Sequence, residues 1–186
     1  MTTLPLPTPA QPDGLDPAVV AKLDGMARLN VLWMLGRTGW LDEITTLLAR
    51  MFDASTFPAR DRELMILRIA HVTRTDYPIP QHRAFAQNLG MTDAEVEAAL
   101  VDGPVVGLDA WGNRLCAICT EITERVTIAE DSLAALVEHY GENGATRAIW
   151  LMGWFNMLVR FVGSARVPLE SGPDPYGGLT MPTTSR

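Results

Sequence analysis

Apolar residues return at three- and four-residue steps along most of this chain, the period of a helix with one buried face. Asp16 has the form of an N-cap with Pro17 at the first helical position, and Val20, Leu23, Ala27 and Val31 continue the stripe. A short helix is expected from Leu41 to Met51. Pro58 opens the next, with Asp61 and Glu63 near its start, where the aligned peptide dipoles favour acids. Leu64, Leu67 and Ala70 mark its apolar side.

Tyr77-Pro78-Ile79-Pro80 interrupts the pattern, because each proline lacks a donor and restricts the residue before it. Helical spacing resumes from His82 to Asn88 and stops at Gly90, a residue free to take the left-handed conformation that closes helices. Thr92-Asp93-Ala94-Glu95 has the form of a capping box. After Gly103-Pro104 a longer helix carries Trp111, Leu115, Ile118 and Ile122. Asp131 to Tyr140 makes another before Gly141, and a long apolar helix runs from about Ala145 to Ala165. No segment sustains period-two alternation, so the fold class is all-α, a single-domain helical bundle without a sheet.

A chain of 186 residues that is 47% hydrophobic, with a mean hydropathy of +0.08, can bury one globular core and is short for two. The helical domain spans 17–170. Residues 1–16 and 171–186, dense in proline and glycine, read as an N-terminal tail and as a C-terminal tail or an arm laid on a neighbouring subunit. A net charge of −7 without a basic face excludes a nucleic-acid partner. The longest apolar run, Ala148 to Gly163, is interrupted by Asn156 and Arg160 and is shorter than the ~20 residues of a membrane span. With no basic leader and two cysteines in all, a cytoplasmic location is expected.

Candidate chemistry lies between Arg60 and His82. Glu63 shares a helix face with Leu67 and Ala70, where an ionised carboxylate needs a partner. An imidazole is a suitable one: a glutamate holding one ring nitrogen sets the tautomer and basicity of the other. Arg60, Arg62 and Arg68 have the fork geometry to seat a substrate carboxylate, or to pair with Asp61 and Glu63. Cys116 and Cys119 form a CxxC, but within a helix interior and beside Leu115, Ile118 and Ile122. There they read as packing residues, since low thiol pKa values belong to exposed helix N-termini.

Arg60-Asp61-Arg62-Glu63-Leu64, Ile66-Leu67-Arg68-Ile69-Ala70, Thr75-Asp76-Tyr77 and His82 together resemble the signature of the carboxymuconolactone decarboxylase and alkylhydroperoxidase D-like family. Trp154 to Arg160 and Val167-Pro168-Leu169-Glu170 resemble its closing helix, so the resemblance covers roughly residues 17–170. It implies an alkylhydroperoxidase D-like bundle, a homo-oligomer (a trimer or hexamer), and a Glu63–His82 pair that relays protons. The peroxidase branch of the family also carries two cysteines, and here those positions hold Thr75 and Pro78, which argues against thiol chemistry. Thr75 and Tyr77 fit the decarboxylase branch. Pro78, Pro80 and Thr123, where a histidine is expected, depart from the family pattern.

The expected site therefore has His82, Glu63 and Tyr77 as catalytic residues and Arg60, Arg74 and Thr75 as substrate-binding residues, with no metal and no cofactor. In a decarboxylation His82 would protonate the carbanion, Glu63 would tune His82, an arginine would seat the departing carboxylate and Tyr77 would donate to the enolate oxygen. The expected partner is a small acidic or lactone-like molecule undergoing lyase or isomerase chemistry. The alternative is a non-catalytic ligand-binding homologue of the same fold. A thiol-dependent peroxidase is disfavoured.

Overall fold

The computed structural model describes residues 14–24, 26, 29–172, 175 and 176. It contains eight helices and, among the described residues, no strand: α1 (Pro17–Asp24), α2 (Asn30–Gly36), α3 (Leu41–Phe52), α4 (Ala59–Val72), α5 (Pro78–Asn88), α6 (Asp93–Ala99), α7 (Ala110–Arg125) and α8 (Glu130–Ser164). Among the described residues no helix is long and apolar enough to cross a membrane.

At the centre stands α4, packed by α5, α6, α7 and α8. Its residues from Asp61 to Ala70 are buried without a break, so the helix has no solvent face. That is more enclosed than the one-sided stripe of Leu64, Leu67 and Ala70 predicts. The two buried arginines, Arg62 and Arg68, are what make an enclosed helix look amphipathic in sequence.

Two sequence expectations need correction. The stripe from Val20 to Val31 is two helices, α1 ending at Asp24 and α2 starting at Asn30. Gly25 in the sequence explains why a continuous helix is disfavoured, by roughly 1 kcal/mol relative to alanine; Ala27 lies outside the described residues. Second, Pro78 and Pro80 do not form a loop but lie in the first turn of α5. The first amides of a helix have no intrahelical acceptor, so prolines there forfeit nothing. Beyond α8, Tyr176 donates to Glu170 at 3.0 Å. The predicted break at Gly141 is present within α8, with φ 71° and ψ 172°, a conformation that a side chain would strain. The capping box of α6 also forms, Glu95 N donating to Thr92 Oγ1 at 3.2 Å and Thr92 N to Glu95 Oε2 at 3.0 Å.

Candidate active site

Burial of α4 on all sides carries Glu63 to a position that is 0% exposed. One turn into α5, His82 faces it, and Nδ1 lies 2.7 Å from Glu63 Oε2. The other carboxylate oxygen, Oε1, accepts from Arg62 Nε at 3.2 Å. Arg62 is also fully buried; its Nη1 donates to the Phe52 carbonyl at 3.2 Å and its guanidinium lies 4.5 Å over the Phe52 ring. Burial lowers the Arg62 pKa and the adjacent Glu63 charge acts against that lowering. Phe52, Phe85 and Phe155 surround the imidazole at ring separations of 6.2, 5.6 and 6.4 Å. The His82 side chain keeps 11% of its surface open, a narrow aperture in an otherwise apolar wall.

The other expected site residues stand apart from this triad. Tyr77 is buried; its hydroxyl donates to Glu170 Oε1 at 2.5 Å and accepts from Val31 N at 2.8 Å. Its single proton is committed to Glu170. Glu170 fastens the segment after α8 to the body: it also accepts from Asn30 N at 2.7 Å, Gln81 Nε2 at 2.8 Å and Tyr176 Oη at 3.0 Å. Burial and the Glu170 carboxylate push the Tyr77 phenol far above its ordinary value, and the Tyr176 phenol up to about 12.

Arg60 is held by Glu95 at 3.0 Å and Asp109 at 3.1 Å, and Arg74 by Asp102 at 2.7 Å. They lie near opposite ends of α4, so the two do not form one carboxylate clamp. Thr75 Oγ1 accepts from Thr73 Oγ1 at 3.2 Å in the turn between α4 and α5. Arg68 braces the segment after α6 through the Val101 carbonyl at 2.7 Å and the Gly103 carbonyl at 2.8 Å. Thr123 donates to the Cys119 carbonyl at 2.6 Å and accepts from Asn156 at 3.1 Å, tying α7 to α8.

Cys116 and Cys119 are 0% exposed within α7. Burial pushes the Cys116 thiol up to about 12, and the Cys119 thiol well above its usual range. Neither supplies a thiolate near neutral pH.

A second buried carboxylate, Asp61, accepts from Tyr140 Oη at 2.6 Å and Trp111 Nε1 at 3.2 Å, and so locks α4 to α7 and α8. Among the described residues no group of three or more histidine, cysteine, aspartate or glutamate side chains is disposed to hold a metal ion. Two open grooves lie elsewhere: one of about 490 Å³ on α8, lined by Ile149, Trp150, Trp154 and Met157, and one of about 370 Å³ between α7 and the start of α8.

Sequence reasoning expected an imidazole partner for Glu63 and allowed Arg62 to pair with Glu63, but it did not place the guanidinium in the interior. Adjacent helical residues point about 100° apart, which disfavours pairing Arg62 with Glu63; the long arginine side chain curls back to do so.

Residues 39–113, which hold α3 to α6 and both members of the pair, match the model of the carboxymuconolactone decarboxylase family. No curated protein matches the chain. Among solved structures, the chain resembles an uncharacterized peroxidase-related protein from Silicibacter sp. TM1040 at TM-score 0.74 and 20% identity, over 95% of this chain and 94% of that one. At that identity the likeness establishes the fold, an all-helical single domain, and nothing about the reaction.

Proposed function

We propose that this chain, whose residues 39–113 match the model of the carboxymuconolactone decarboxylase family, is a cofactor-free enzyme that moves a proton on a small acidic or lactone-like carbonyl compound. The single observation that carries this reading is the 2.7 Å contact between Glu63 Oε2 and His82 Nδ1, buried and walled by Phe52, Phe85 and Phe155. In such surroundings a carboxylate orients the ring and stabilises the imidazolium that forms when the other nitrogen takes a proton. Loss of carbon dioxide and migration of a double bond both pass through an enolate-type carbanion, so the pair serves lyase and isomerase chemistry alike.

The accessory roles expected for Tyr77, Arg60 and Arg74 are not needed by this reading. Their hydrogen-bonding groups are engaged by Glu170, by Glu95 and Asp109, and by Asp102. Thr75 stays in the turn that leads into the His82 helix, as a candidate substrate contact. Thiol peroxidation is disfavoured by the burial of Cys116 and Cys119 and by Thr75 and Pro78 at the family's cysteine positions.

One observation favours the alternative, a ligand-binding homologue without catalysis: the His82 opening is narrow and the two grooves lie on other surfaces. Incubating the protein in D₂O with a panel of β-keto acids and unsaturated γ-lactone carboxylates, and following deuterium uptake by NMR, separates the two. Uptake or product formation that disappears in His82→Gln supports the enzyme. Saturable binding with no uptake by any probe would leave the ligand-binding reading in its place.

A further inference from the structure

The Glu63 carboxylate is shared. It holds His82 through one oxygen and a guanidinium that is 0% exposed through the other. Resting on the proton-transfer reading above, we infer that Arg62 is a positioning residue that fixes the resting protonation of the pair. It keeps Glu63 a carboxylate and His82 neutral, with Nδ1–H toward Glu63 and the lone pair on Nε2, so the cycle starts with His82 accepting a proton from the substrate.

The argument is one of charge. A guanidinium does not give up its proton in a protein, so Arg62 brings one positive charge into the interior. An unpaired buried charge is costly, and the Glu63 carboxylate 3.2 Å from Nε supplies the balance. Protonating Glu63 would remove that balance. With Arg62 and Glu63 cancelling, a second proton on His82 would leave a net positive charge among Phe52, Phe85 and Phe155. The resting ring is therefore neutral. A neutral ring 2.7 Å from a carboxylate must donate through the nitrogen that touches it, which leaves Nε2 as the base.

Among the described residues, groups facing the imidazole from other elements do not change this count. Phe52 of α3 and Phe155 of α8 contribute uncharged rings. On α5, Phe85 is uncharged, Gln81 donates to Glu170 at 2.8 Å, and Arg83 is drawn to Glu97 at 2.6 Å.

The consequence is a substrate class. A site that rests as a base acts first on an acidic C–H next to a carbonyl. Nε2 forms a bond to that proton, the C–H electron pair becomes the enolate, and Glu63 stabilises the imidazolium. The same proton then returns to another atom of the enolate, which yields an isomer and restores neutral His82. One proton leaves and one returns, with no oxidant or reductant. The decarboxylation expected from the sequence has His82 supply a proton after carbon dioxide leaves, whereas here it takes one first.

The test reads the ring directly. Protein labelled with ¹⁵N-histidine, with the His82 signal assigned by its loss in His82→Gln, is expected to show a neutral Nδ1–H ring at pH 7. In Arg62→Met the Glu63 charge is no longer balanced, and His82 is expected to titrate at a pH higher by about 1–3 units. The acid limb of the rate profile, where the base becomes protonated, should move to higher pH with it. Arg62→Lys, which keeps the charge, is expected to return the ring to the parent pattern.

A parent ring that is cationic or carries its proton on Nε2 at pH 7 overturns the proposal, as does an unchanged titration in folded Arg62→Met. If Arg62→Met does not fold, the parent tautomer and Arg62→Lys decide the question, since a lysine variant with a cationic ring at pH 7 contradicts the charge argument. Full turnover in a folded His82→Gln variant would sink the proton-transfer reading alone and leave the ring result standing.

Discussion

Glu63 and His82 are nineteen residues apart in sequence, and their side chains meet at 2.7 Å across the α4–α5 contact. The carboxylate has no exposed surface, while the imidazole keeps a narrow one. On the proposed reading the buried partner orients and the outer one meets the substrate, the division of labour expected of a general base and the group that holds it.

Replacing His82 by glutamine is expected to lower turnover by ~10²–10⁴-fold, the usual contribution of a general acid or base. Glu63→Gln should cost less in rate, because it keeps one hydrogen bond to the ring. It should cost more in stability, about 3–5 kcal/mol, because it leaves the buried Arg62 charge without its carboxylate. The two rate effects should be strongly non-additive, since without His82 there is nothing for Glu63 to orient. Steady-state kinetics and thermal unfolding of the two single variants and the double variant measure both quantities. Additive rate losses would contradict a shared role.

The cysteine pair gives the opposite expectation. Cys116→Ser with Cys119→Ser should leave turnover within a few-fold of the parent. The melting temperature should fall, because each new hydroxyl enters an apolar interior at a cost of about 1–3 kcal/mol if it finds no partner. Loss of activity in a double variant that remains folded by circular dichroism would restore a redox role to these thiols.

All three tyrosines of the chain are bonded to carboxylates: Tyr77 and Tyr176 to Glu170, and Tyr140 to Asp61. Burial, then the carboxylate, raises each above the ordinary phenol value of 10.0. A folded state that retains a proton the unfolded state releases is stabilised fully below the unfolded value. That stabilisation is lost as pH rises beyond it. Stability should therefore hold through pH 9 and fall above about pH 10, with phenolate absorbance appearing together with unfolding. Early phenolate formation in the folded protein would show that the clasp at Glu170 and the Asp61 lock are open in solution.

Assembly is the remaining expectation, and α8 is where it would act. Thr146, Trp150, Gly153 and Met157 follow one another at steps of four, three and four along an outer face, with Trp150 57% and Met157 47% exposed. That spacing is a seam for a second helix, with Gly153 allowing close approach. A homo-oligomer, trimer or hexamer by the family resemblance, is predicted to cover it, and Trp150→Glu to weaken it. Light scattering that reports a monomer across micromolar concentrations would contradict this.

The sequence by itself determined the helical class, most helix ends and the two residues that face each other at the site. Those features rest on local rules: period, capping at Thr92, and the break at Gly141. What only the tertiary structure decided depends on what surrounds each residue. Prolines that look like a loop became the first turn of α5, because unbonded amides are free only where a helix begins. Tyr77 was drawn from the site to Glu170, a residue ninety-three positions away, by a bond that no local pattern encodes. Arg60 and Arg74 met acids on other elements, and Arg62, which the periodicity assigns to a polar face, had no such face to occupy. With α4 enclosed from Asp61 to Ala70, its guanidinium turned to the carboxylate next to it, and Glu63 came to hold both Arg62 and His82.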